Sequence, residues 1–223
     1  MTRPTRLIPP IAAAALLAAA PALAQSLAQT GDDATLNVFG DVAPLNDAQT
    51  TNQGPHGEVR IATLGDRLEI AVYARGLEPG MHRVHVHGFT GDDPQAARCP
   101  TPAADINDDG WVDLAEARLV TGEALIPITT DTVSLTYDED WYPEAGTWGV
   151  LDFETRVMTE ELRTAVRERH GTPLALTRRV VLIHGVSPET ELPVTVYAPQ
   201  GSSAHAATPV ACAMLIPETE RPV

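Results

Sequence analysis

Lysine is missing altogether: all 15 basic residues of the 223-residue chain are arginines, outweighed by 30 acidic ones for a formal charge of −15. The missing lysine points to no function, but the shortage of positive charge does. A strongly acidic surface repels nucleic acid and anionic membranes, which leaves cations as the natural partners. Cysteine is scarce too, with only Cys99 and Cys212. Beyond the first two dozen residues no stretch is long or apolar enough to span ~30 Å of hydrocarbon, which takes about 20 residues. Internal repeats are absent, and low complexity is confined to the start of the chain.

That start carries Arg3 and Arg6 without an acid, then an apolar stretch from Ile11 to Ala20, then Ala22-Leu23-Ala24. A basic beginning, a short apolar run and a small-x-small end make a cleavable secretion signal over 1–24. Its apolar run is about half the length a membrane anchor needs. The expectation is a periplasmic or secreted protein that does not touch the membrane once the signal is cut. Removing the two signal arginines takes the charge from −15 to −17. An even pair of cysteines in an oxidising compartment forms a disulfide. Closing a loop of over a hundred residues stabilises by ~4 to 5 kcal/mol on chain entropy.

After a flexible leader, 25–35, apolar and polar residues alternate over Leu36 to Phe39, Gly57 to Leu64, Arg67 to Arg75 and His82 to His87, with Gly, Pro, Asn and Asp between. Further strands are expected at Glu123 to Ile128, Thr132 to Tyr137, Arg178 to His184 and Val210 to Ile216. Leu64-Gly65-Asp66-Arg67 reads as a tight hairpin with Gly65 at positive φ. Short strands at this spacing predict an all-β antiparallel sandwich or barrel. One helix interrupts it, over 159–170, with Thr159 as N-cap, Leu162, Ala165 and Val166 at helical spacing and Gly171 past its end. The segment Asp138 to Phe153, rich in Trp, Tyr, Pro and acids, reads as an ordered loop. One domain over 36–217 and a short tail, 218–223, account for the rest.

The string Pro79-Gly80-Met81-His82-Arg83-Val84-His85-Val86-His87-Gly88-Phe89 is the most informative. In a strand, His85 and His87 leave one face, where they either share a metal or form a solvated surface, while Val84 and Val86 face the core. About a hundred residues later a β-prone run, Arg178 to Ile183, ends in His184, which could complete a three-histidine site. A Gly-x-His-x-x-His-x-His strand, a cysteine soon after, a β run ending in histidine and a final Ala211-Cys212 strand follow the order of the copper-zinc superoxide dismutases, which the chain resembles in these short blocks. The resemblance implies a Greek-key β-barrel, copper on His85, His87 and His184, His82 bracing the site, and a Cys99–Cys212 disulfide.

The chain also departs from that family. No histidine lies between His87 and His170, where the family keeps its bridging and zinc histidines, so no zinc is expected. Pro209 stands where the family has the arginine that guides superoxide. His56, His170 and His205 sit in no recognisable block and read as surface histidines.

Where zinc ligands would lie, the chain instead has Asp105, Asn107, Asp109, Gly110, Trp111, Asp113 and Glu116 at the diagnostic positions of a twelve-residue EF-hand loop. Five side chains and the Trp111 carbonyl are candidate ligands for one calcium, and Leu114 onwards for a short exiting helix. Three functions compete on these grounds. One is an exported copper-binding superoxide dismutase, with superoxide as substrate and the three histidines as its catalytic ligands. Another is a copper-buffering or delivery protein without turnover. The last is a structural β-module that binds only calcium.

Overall fold

A computed structural model describes residues 36–46 and 54–221. The expected signal, the leader and the last two residues of the tail lie outside the described residues. Eight strands follow one another edge to edge in an antiparallel, curled sheet. In chain order they are β1 (Val38–Pro44), β2 (His56–Leu64), β3 (Arg67–Arg75), β5 (Arg83–Gly88), β6 (Glu123–Pro127), β8 (Val150–Met158), β9 (Val180–His184) and β10 (Pro209–Met214), with the two-residue β4 (Gly80–Met81), β7 (Glu144–Ala145) and β11 (Ile216–Pro217). The spatial order is β6-β5-β9-β10-β1-β2-β3-β8, β11 pairs with β1, and β4 with β7 forms a separate ribbon.

Period-two patterning decides which face is core. On β3, Leu68, Ile70, Val72 and Ala74 are buried between outward residues, and Val59, Ile61, Val84, Val86, Val181 and Ile183 join them in one cluster. A smaller cluster holds Val180 and Leu182, the alternate residues of β9, with Val112, Ala117 and Cys212. β9 is therefore buried on both sides, and its second face lies under the long connections rather than in water. The β2–β3 hairpin pairs Leu64 with Arg67 across Gly65-Asp66, and Gly65 has φ 64°, as the tight turn requires.

Boundaries shift where tertiary packing overrides local pattern. β1 begins at Val38 and continues through Gly40 to Pro44, past the expected end at Phe39. A Cβ at Gly40 would meet the Met214 carbonyl oxygen at 2.7 Å, so this glycine permits the strand's close approach to β10. The strand expected over Thr132 to Tyr137 is instead a 3-10 turn, Thr132–Ser134, ending on Leu135 at φ 51°. Asp131 caps Ser134, and the Thr132 hydroxyl donates to the Thr129 carbonyl; these local bonds displace a ladder. The loop expected to reach Phe153 ends earlier, because β8 pairs with β3 residue for residue from Val150 onwards.

Three α-helices lie among the described residues: α1 (Leu114–Thr121), α2 (Thr159–His170) and α3 (Ala204–Ala207). Leu162 and Val166 of α2 are buried and Gly171 closes it at φ 62°. The N-cap is Met158, not Thr159. β8 runs straight into the helix, with the Thr159 amide bonded to the Asp66 carbonyl, and the Thr159 hydroxyl is left buried without a partner. α2 packs on β8, β6 and the Thr132–Ser134 turn, so it fills the gap between the two edge strands. Cys99 and Cys212 form a disulfide across a sequence separation of 113, a bond consistent with an oxidising, extracellular environment. No helix among the described residues is long and apolar enough to cross a membrane.

Candidate metal centre

The face of β5 and β9 turned away from the main core carries the site. Register pairs Arg83 with His184, His85 with Leu182 and His87 with Val180. Residues directly opposite in an antiparallel pair point to the same side, so Arg83, His85, His87 and His184 share one face. His85, His87 and His184 are 7%, 1% and 2% exposed, and one ligand nitrogen from each lies within 4.8 Å of the others. Among the described residues this is the one group of three or more His, Cys, Asp or Glu brought so close.

Each ring has one nitrogen pinned and one free. His184 Nδ1 donates to the Ala207 carbonyl at 2.9 Å and His87 Nδ1 to the Gly122 carbonyl at 3.3 Å. His85 Nε2 lies 2.6 Å from the Tyr142 hydroxyl. The remaining nitrogens, His85 Nδ1, His87 Nε2 and His184 Nε2, are buried without any hydrogen-bond partner. Three buried acceptors without a protein partner cost free energy unless an ion or water satisfies them. Imidazole nitrogens bind a metal at about 2.0 Å, so nitrogens sharing an ion lie within about 4 Å of each other; the rings here need close by less than about 1 Å to do so.

Burial also fixes their protonation. Desolvation, reinforced by the neighbouring His184 ring, holds His87 down to about 3. His184 is lowered to about 4, chiefly by burial, against the opposing bond to Ala207. His85 falls well below the usual histidine range through burial, then through His184, His87 and Arg83. All three are neutral at pH 7, with lone pairs available to a cation.

His82 lies behind the site, with Nδ1 2.9 Å from the His184 carbonyl and Nε2 2.8 Å from that of Glu78. It thereby ties the start of β5 to the end of β9. His56, His170 and His205 stand outside the cluster and are half-buried rather than exposed. His56 Nδ1 contacts the Gly54 carbonyl and His205 Nε2 the Thr190 carbonyl.

Two groups at the centre were not singled out in the sequence. Tyr142, 5% exposed, stands edge-on to the His85 ring with its hydroxyl on Nε2, and burial raises its phenol above the ordinary range. Arg83 faces the site from two residues before His85, a placement the strand period foretells once the histidines are taken as ligands. Outer partners of metal-bound histidine typically account for a factor of 10 to 100 in affinity. Tyr142→Phe is therefore expected to weaken metal binding roughly tenfold or more, read by competition against a chromophoric chelator. Unchanged affinity would show that His85 needs no support at Nε2.

The acidic loop is folded on itself. Asp105 accepts the amides of Asp109 and Gly110, Asn107 that of Asp109, and Asp109 that of Trp111. Glu116 accepts from Ile106 and Asp113, and Asp113 caps α1 through Glu116. Trp111 is buried, and its neighbours clasp the far loop: the Thr195 hydroxyl donates to Asp109 and the Tyr197 amide to Asp113. The expected exiting helix is α1. No three of the loop's carboxylates come within 4.8 Å of one another; their oxygens accept backbone amides instead.

No protein-family model matches the chain, and no curated protein matches it.

Proposed function

We propose that this is an exported copper protein of superoxide-dismutase type, binding one copper through His85, His87 and His184. The observation that carries it is the convergence of His85, His87 and His184 on one face of two paired strands, each ring keeping one buried nitrogen without a hydrogen-bond partner. Neutral imidazoles in a set of three suit Cu(I) and Cu(II). The non-sequential strand order β6-β5-β9-β10-β1 supports a Greek-key barrel, and the Cys99–Cys212 disulfide supports export.

Bound copper would supply one-electron exchange, turning two superoxide anions and two protons into dioxygen and hydrogen peroxide. The chain's own part is to present three proton-free nitrogens, hold their tautomers through Tyr142, Gly122 and Ala207, and exclude water behind them. Titration with copper is expected to reach one ion per chain and His85→Ala/His87→Ala to abolish it. Full copper retention by that variant would sink the site. A copper-loaded protein with no rate above buffer in a superoxide-decay assay would leave buffering or delivery, a reading favoured by the absence of a fourth imidazole from the cluster.

For the acidic loop the reading is one structural calcium on Asp105, Asn107, Asp109, the Trp111 carbonyl, Asp113 and Glu116, supported by their spacing. With a dissociation constant of ~10⁻⁴ M, 10 mM calcium would stabilise by about 2.7 kcal/mol, a rise of roughly 5 to 11 °C in melting temperature for a chain of this size. Glu116→Gln should remove that rise. Identical melting in calcium and in chelator would dismiss the ion.

A further inference from the structure

The cavity above the three histidines measures about 1050 Å³, at the upper end of the ~300–1,000 Å³ typical of small-molecule sites. Neither a copper ion nor superoxide needs such a space. Its walls are unusual for this protein. Three of its ten exposed large hydrophobics among the described residues, Leu119, Tyr137 and Tyr197, line this one cavity. Apolar groups gathered around a cleft mark a ligand or partner. In a chain of charge −15, the lining carries two arginines, Arg83 and Arg118, against one acid, Glu123.

Arg83 is the better placed of the two cations. Its side chain is 17% exposed, and it stands across the strand pair from His184. Its two terminal nitrogens are turned to Ser202 and Glu139, contacts that use two of a guanidinium's five N–H donors. Glu139 is 60% exposed, so its ion pair is screened and exchanges at small cost. A guanidinium beside a metal position, opening onto aromatic and aliphatic walls, matches an anion with a hydrocarbon body.

We propose that this cavity binds an organic carboxylate, its carboxylate held by Arg83 next to the three histidines and its apolar part lying along Leu119, Tyr137 and Tyr197. The inference builds on the copper reading for what lies at its floor, but the binding itself belongs to the chain. Benzoate, formate and benzylamine are the probes, titrated calorimetrically into the metal-free full chain and followed by copper electron paramagnetic resonance in the loaded form. Benzoate should saturate one site and exceed both formate and benzylamine in affinity at least tenfold. Arg83→Gln should weaken benzoate at least tenfold. Glu139→Gln, which frees Arg83, should tighten it several-fold, a gain that no purely structural role of Arg83 would give. Leu119→Glu, at a position 65% exposed and so harmless to folding, should weaken benzoate and leave formate unchanged. In the loaded form benzoate should alter the copper spectrum. Absence of saturable benzoate binding, formate binding as tight as benzoate, or wild-type affinity in Arg83→Gln would each overturn the proposal. Benzoate binding with no copper uptake would defeat the copper reading alone, and copper uptake with no benzoate binding would defeat only this one.

Discussion

Metal-free protein is expected to lose about 5 kcal/mol of stability from His87 and His184 alone when the pH falls from 6.5 to 4.5. In the unfolded chain these rings protonate near 6.5. In the folded chain burial and the neighbouring rings hold His87 to about 3 and His184 to about 4. Their folded affinity for protons is thus the lower one, so the unfolded state takes up protons first and acid favours unfolding. The contribution is complete above 6.5, drains away as pH falls below it, and is gone once the folded values are passed. Each ring loses 1.36 kcal/mol per pH unit within that window, and His85 adds to the trend in the same direction. Calorimetric melting in chelator at pH 7, 5.5 and 4.5 reads it as a fall of roughly 10 to 20 °C. His87→Leu should flatten the slope by one ring's share, which separates the histidines from titrating carboxylates. A melting temperature level across this range, or a slope untouched by His87→Leu, would mean the rings accept protons in place and the site is wet.

The second large effect is in the disulfide. Cys99 and Cys212 close a loop of 113 residues, for which chain entropy gives about 5 kcal/mol of stabilisation. The bond ties the connection after β5 to β10, the strand beside β9, and Cys212 sits in the small cluster with Val180 and Leu182. Cys99→Ala/Cys212→Ala is expected to melt roughly 10 to 20 °C lower. Alanine fits the buried position of Cys212 without adding a polar group there. Melting unchanged within 2 or 3 °C would place the stabilisation in native packing rather than in the cross-link.

Much of the candidate metal site was legible because strand geometry is simple. A period of two fixes His85 and His87 on one face whatever surrounds them, and the apolar run 180–183 ending in His184 is buried on both sides and reads as a central strand. The pairing of β5 with β9 was not legible, since it joins residues a hundred apart by register. Tyr142 escaped notice for the same reason: the segment 129–142 is held by turns built on Asp131, Thr132 and Asp138, and only the folded chain brings it over His85. β8 was missed although Val150 to Val157 alternates, because the Trp, Tyr and Pro residues before it set the character of the window. Arg179 shows the converse. It lies in the β-prone run, yet it is 1% exposed and its guanidinium donates to the carbonyls of Phe89, Leu174 and Pro173, where a charge would not be sought from pattern alone.

The seam filled by α2 bears on how the protein stays unassociated with other copies of itself. An incompletely closed sheet exposes rows of unpaired amides and carbonyls along β6 and β8, which can template the addition of strands from other copies. Helix α2 caps that gap with Leu162 and Val166 turned inward, and its acid-rich first turn and arginine-bearing last turn face water. Twelve residues that line neither the histidine cluster nor the cavity thus stand between the sheet's two edges and pairing with other copies.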